Sequence, residues 1–165
     1  ALSPQEKRHA CGWDDVNAMY RKKVMEQIPF ETVAFGEDML WAKAALQKGH
    51  KLVYDYSARV NHYHHQFPSY TYKRFLIANV FIYKCFGLGR NKMFSLEDYL
   101  IVVYRNFKWG LHPKWILHNF KILENRNKAT RTLMRNLRNN TMSELERSLA
   151  LNVPMGLQKT KNEIE

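Results

Sequence analysis

The spacing of apolar and polar residues changes along the chain, and the changes mark out its elements. Met39, Ala42 and Leu46 recur at i, i+3 and i+7, which predicts an amphipathic helix from about Glu37 to Lys48, preceded by Gly36 and stopped by Gly49. A shorter helical stretch around Lys22 to Gln27 comes before it and is closed by Pro29, while the rest of the first thirty-five residues reads as mixed. Lys51-Leu-Val-Tyr-Asp-Tyr56 reads as a strand, and Ala58-Arg-Val-Asn-His62 as a second extended piece after a turn at Ser57. After Pro68 the pattern becomes helical. Ser69 to Phe86, Ser95 to Lys108, Pro113 to about Asn139 and Met142 to Leu151 are predicted helices, with Ser95 and Thr141 as N-caps and Gly87, Gly89 and Gly110 as breaks. Tyr99 to Tyr104 is apolar nearly all round, which fits burial between neighbours or a place in an interface, and residues 154–165 read as a frayed end. A helix followed by strands is the αβ half of a layered fold, so residues 1–67 are expected to be α/β and residues 68–165 a mainly α-helical extension.

Composition narrows the setting. The chain has 165 residues, 45% of them apolar and 13% aromatic, enough for one substantial core and too aromatic for disorder. Its two cysteines, Cys11 and Cys85, form neither a disulfide framework nor a metal-finger pattern, and this predicts a reducing, cytoplasmic setting. There is no signal-peptide pattern at the N-terminus and no apolar run of spanning length. Of the net charge of +11, all is local: residues 66–140 hold 14 Lys and Arg against three acids, Glu97, Asp98 and Glu124. Because Tyr70, Tyr72, Phe75, Tyr104, Phe107, Trp109 and Trp115 interleave with those charges, the expected partner is an anionic membrane surface rather than nucleic acid, with the protein peripheral on the inner face of the plasma membrane.

The candidate chemistry lies upstream of that basic segment. Phe35-Gly-Glu-Asp-Met-Leu-Trp41 puts two carboxylates on the first turn of a helix, and a rigidly held carboxylate is what a general base needs to take a proton from an attacking hydroxyl. Ordinary helix-dipole charging would also account for Glu37 and Asp38, and core packing would account for Trp41. His62 and His64 lie two apart, on one face of an extended segment, and imidazole suits Mn²⁺ or Zn²⁺. Arg21 and Lys22, which follow Asn17 and Tyr20, could donate to donor phosphates or acceptor hydroxyls, since a guanidinium suits a diphosphate, and solvated surface charge would also account for them.

Taken together, Cys11-Gly-Trp-Asp-Asp-Val-Asn-Ala-Met-Tyr-Arg-Lys22, Ile28-Pro-Phe-Glu31, the Gly-Glu-Asp helix with Trp41, the Tyr-rich strand and Ala58-Arg-Val-Asn-His62 resemble the family 2 glycosyltransferases of the GT-A fold, particularly the bacterial rhamnosyltransferase-like group. The resemblance covers about residues 10–75. It implies the acceptor-side half of a GT-A (Rossmann-like) domain over residues 1–67. It further implies inverting transfer of a sugar from a nucleotide-diphosphate sugar to a saccharide or lipid-linked acceptor, in bacterial surface-polysaccharide synthesis. In that family the second acid of the Glu-Asp motif is the catalytic base, here Asp38, with Glu37 beside it and Trp41 under the acceptor sugar. Asn17, Tyr20, Arg21 and His64 would face donor or acceptor, and His62 would touch a divalent Mg or Mn ion.

The pattern also departs from the family. No nucleotide-binding half ending in Asp-x-Asp precedes these residues, and Asp14-Asp15 does not replace it, so the chain is expected to be a fragment that is inactive alone. A rival reading is a non-catalytic basic helical module that binds anionic membrane or nucleic acid, with Arg131, Arg135 and Arg138 on one face at i, i+4 and i+7. A half domain with an open sheet edge is also expected to pair as a homo-dimer.

Overall fold

The computed structural model describes residues 2–61, 68–89 and 93–149. The chain divides into two compact units between His64 and His65. About 66% of the described residues are helical and, among them, there is no strand and no sheet. This overturns the α/β expectation and, with it, the Rossmann-like GT-A half over residues 1–67.

The reason can be read in the segment expected to be a strand. Strand pairing requires a second backbone, and none of the described residues offers one to Lys51–Tyr56. Val53 is 76% exposed and Tyr56 85% exposed, and Leu52 alone in this segment is partly covered. Side chains hold it instead. Leu52 packs on the first unit's core, the Tyr54 hydroxyl donates to the Gly12 carbonyl, and Asp55 accepts from the Ser57 amide at 2.9 Å and the Ser57 hydroxyl at 2.7 Å, closing the expected turn. Ala58 to Asn61 are likewise irregular and exposed. With no sheet among the described residues there is no sheet edge to support the expected homo-dimer.

The first unit contains α1 (Pro4–Ala10), a 3₁₀ turn (Asp15–Asn17), α2 (Lys22–Gln27) and α3 (Glu37–Gln47). Helix α1 starts at a capping box: the Ser3 amide donates to the Glu6 carboxylate at 2.8 Å while the Ser3 hydroxyl oxygen accepts from the Glu6 amide at 3.3 Å. The core is small. Ile28, Trp41 and Ala45 are buried, and Tyr20, Val24, Met25, Phe30, Ala44 and Leu52 pack around them. Trp41 anchors this cluster because its indole N–H donates to the Ile28 carbonyl at 2.8 Å, so its one polar atom is satisfied inside.

The second unit contains α4 (Pro68–Phe86), α5 (Leu96–Lys108), α6 (Lys114–Asn139) and α7 (Met142–Ser148). Its main contact is α4 against α6, with α5 and α7 also packed on α6. Leu76, Ile77 and Val80 of α4 and Leu123, Ala129 and Leu133 of α6 are buried, together with the polar side chains Asn79 and Thr130, whose amide and hydroxyl lie 3.4 Å apart. The Lys84 ammonium donates to Glu146 at 2.8 Å and ties α4 to α7. Ser95 caps α5 as expected, its amide 2.7 Å and its hydroxyl 3.0 Å from the Asp98 carboxylate. Thr141 does not cap α7; its hydroxyl donates to the Asn136 side chain at 2.8 Å.

Candidate functional site

Gly36 sits in the left-handed region at φ 77°, a conformation that costs other L-residues about 1–2 kcal/mol. The turn it makes lets the chain enter α3 sharply, with the Leu40 amide bonded to the Gly36 carbonyl at 2.9 Å, and places Glu37 and Asp38 on the first helical turn. Glu37 is exposed. Asp38 is half-buried and accepts the Met39 amide at 2.6 Å.

A second chain segment meets this helix start. Asp14 caps the 3₁₀ turn by accepting the Val16 amide at 3.1 Å, and carboxylate oxygens of Asp14, Asp15 and Asp38 all lie within 4.8 Å of one another. An aromatic chain secures the approach. The Trp13 indole donates to the Tyr20 hydroxyl at 2.9 Å, and Tyr20 stands edge-on to Trp41, with centroids 4.7 Å apart and an interplanar angle of 89°. Phe30 and Tyr54 extend the cluster on either side, at 5.5 Å from Tyr20 and from Trp13. The acidic group is therefore fixed to the core of the first unit through Trp13, Tyr20 and Trp41.

Burial pushes the Asp38 carboxyl above its ordinary value; the Met39 amide opposes the shift, and the charges of Glu37, Asp15 and Asp14 add to it. Burial also raises the Tyr20 phenol, against the Trp13 hydrogen bond and with help from the same aspartates. The Tyr54 phenol is raised by burial and by Asp14. A half-buried carboxylate with a raised proton affinity is suited to accepting a proton from a neighbouring hydroxyl.

The other expected site residues are distributed unevenly. Tyr20 is half-buried beside the acidic group. Asn17 is exposed and its amide donates to the Ala58 carbonyl at 3.0 Å, joining the 3₁₀ turn to the segment after Ser57. Arg21 is exposed at the start of α2. Trp41 is a core residue with only 7% of its surface exposed, so its ring faces are taken up by packing rather than open to a sugar. His62 and His64 lie outside the described residues. Trp13, Asp14, Asp15 and Tyr54 join the site without having been given a role from sequence. The one available signal was the recurrence of large aromatics and acids in Trp13-Asp-Asp and Tyr54-Asp-Tyr56.

The carboxylate cluster offers hard oxygen donors of the kind Mg²⁺ or Mn²⁺ takes. Asp14 and Asp15 are solvent-exposed, however, and nothing else among the described residues points to an ion. The cluster is therefore read as the electrostatic setting of Asp38, and no metal is assigned to it. No family model, curated protein or solved structure matches the chain.

Proposed function

We propose that the first unit supplies the acceptor-side chemistry of an inverting glycosyl transfer, with Asp38 as the base. The observation that carries this reading is the state of Asp38: a half-buried carboxylate on the first turn of a packed helix, its proton affinity raised by burial and by three neighbouring acids. In such a reaction the acceptor hydroxyl attacks the anomeric carbon from the face opposite the nucleotide diphosphate. Asp38 takes the hydroxyl proton as the new bond forms, and rigid placement contributes as much as basicity.

The likeness of the Gly-Glu-Asp helix and its flanking segments to family 2 glycosyltransferases supports this choice of reaction over other uses of a carboxylate base. Trp13 and Tyr20 tie the segment that carries Asp14 and Asp15 to Trp41 of the helix bearing the base, and the exposed Arg21 is available to an anionic group of donor or acceptor.

The test is transfer measured in the natural polypeptide, Asp38→Asn against wild type. A general base contributes on the order of 10²–10⁴-fold, so kcat should fall by that factor. Asp38→Asn with undiminished transfer would remove Asp38 from the chemistry, whereas Glu37→Gln, at an exposed position, should cost far less.

A further inference from the structure

We propose that the α5–α6 hairpin of the second unit is a docking surface for an anionic lipid bilayer, an inference independent of the role given to Asp38. The residues that make α5 apolar nearly all round divide between two faces. Tyr99, Val102, Val103 and Asn106 turn inward, with the Tyr99 ring edge-on to Phe120 of α6 at 5.0 Å and Asn106 buried. Leu96, Leu100, Tyr104 and Phe107 form a second stripe, at i, i+4, i+8 and i+11, and this one is exposed. Tyr104 is 63%, Phe107 71% and Trp109 62% exposed, and Leu111 in the turn and Trp115 on the first turn of α6 are exposed as well. A monomeric soluble surface does not ordinarily line up four large exposed apolar side chains on one helix face.

The hairpin is built to hold the group in place. Gly110, at φ 58°, lets the chain reverse after α5, with the Gly110 amide on the Phe107 carbonyl and the Leu111 amide on the Asn106 carbonyl. The buried Asn106 side chain donates to the Leu111 carbonyl at 3.0 Å and locks the turn from inside. The aromatic tip is thus displayed on a fixed backbone, so little ordering is left to be done on binding.

Charge selects the partner. From Tyr99 to Leu123 there are four cations, Arg105, Lys108, Lys114 and Lys121, and no Asp or Glu. The Lys108 ammonium lies 5.8 Å from the centre of the Tyr104 ring and that of Lys114 5.7 Å from the centre of the Trp115 ring, so cations and ring faces sit at the same level. Lipid headgroups above acyl chains present the matching arrangement, anionic phosphate above apolar carbon, and amphipathic rings favour that boundary. A second copy of the chain would set one net-positive surface against another, and nucleic acid would leave the stripe from Leu96 to Phe107 without apolar contact. No described helix is long and apolar enough to cross a membrane, and the contact proposed is with the surface alone.

Co-sedimentation of the full chain with phosphatidylglycerol–phosphatidylcholine vesicles, against phosphatidylcholine alone, tests this. Binding is expected to the anionic vesicles only. It should fall on the order of tenfold in Phe107→Ser with Trp109→Ser, through lost apolar burial, and roughly tenfold or more in Lys108→Gln with Lys114→Gln. Phe107→Leu should retain it. All of these positions are exposed, and the lysine pair remains decisive should the serine pair fail to fold. Failure of the wild-type chain to bind anionic vesicles would overturn the proposal, as would binding unchanged in a folded serine pair or in the lysine pair. So would tighter capture by duplex DNA, or a dimer in sedimentation that Phe107→Ser dissolves.

Discussion

Asp38 is where position and electrostatics pull against each other. The helix N-terminus favours its charge, and the Met39 amide bonds to it, yet burial and three neighbouring carboxylates disfavour the ionised form more strongly. The folded protein therefore binds this proton more tightly than the unfolded chain does. The resulting stabilisation is complete below the unfolded value of 3.8 and is lost as pH rises through the higher folded value. At neutral pH the charged Asp38 is a net cost to the fold. Asp38→Asn is thus expected to raise the thermal midpoint at pH 7 while slowing transfer by the factor given above, and its advantage over wild type should shrink as the pH is lowered below the carboxylate range. Parallel melts at the two pH values check the sign; a variant less stable than wild type at pH 7 would show that the Met39 bond outweighs burial and repulsion. Gain of stability with loss of activity is the usual mark of a residue kept for chemistry.

At the scale of elements, the helix ends are the most legible feature and extended structure the least. Helices α3, α5 and α6 finish in the same way: a residue at positive φ, Gly49, Gly110 or Asn140, with paired amide bonds back to the last turn. Two of these residues are glycines, which the sequence announces directly, and α3 runs from Glu37 to Gln47, close to its expected span. Helix α1 is not among the expected helices: its lack of any buried residue removes the periodicity signal, although Ser3-Pro-Gln-Glu6 sets a cap, a proline at the first helical position and a reciprocal acid in order. Lys51–Tyr56 misleads because β-branched and aromatic content measures fitness for a pleated surface, whereas a strand exists only as one member of a pair. An element-level contact invisible in sequence is Asn127, whose side chain accepts the Phe94 amide at 2.8 Å and donates to the Phe94 carbonyl at 3.0 Å, pinning the approach to α5 onto α6. Asn127→Ala leaves both backbone groups of Phe94 without that partner and is expected to cost about 1–3 kcal/mol in denaturant unfolding, with faster hydrogen exchange at the Phe94 amide.

At the scale of the whole molecule, the described residues hold two separate cores, one centred on Trp41 and the other on the α4–α6 contact. Trp41→Ala is expected to cost about 3–5 kcal/mol and Leu133→Ala about 2–5 kcal/mol. Hydrogen exchange should rise in α2 and α3 for the first variant and in α4 and α6 for the second. Spread of either effect through both units would show one cooperative core instead of two. The change in character after Pro68 was visible in charge and periodicity, because the second unit's helices are long and its cations clustered. The acidic site was only half visible: Glu37 and Asp38 stand together in sequence, but the meeting of Asp38 with Asp14 and Asp15 depends on an aromatic chain from Trp13 through Tyr20 to Trp41, and no local pattern encodes a contact between residues so far apart.

The four tryptophans share out between the units in a way that makes the protein its own instrument. Trp13 and Trp41 donate their indole N–H groups within the first unit, at 2.9 Å to a phenol and 2.8 Å to a carbonyl, while Trp109 and Trp115 stand on the exposed turn of the second. Light emitted from a shielded indole is shorter in wavelength and resists quenchers, and that from a wet one is longer and yields to them. With Trp109 and Trp115 replaced by Phe, the remaining emission follows the surroundings of Asp38; with Trp13 and Trp41 replaced, it follows the hairpin. Unlabelled protein can then reveal at which of the two surfaces a sugar, a nucleotide or a vesicle arrives.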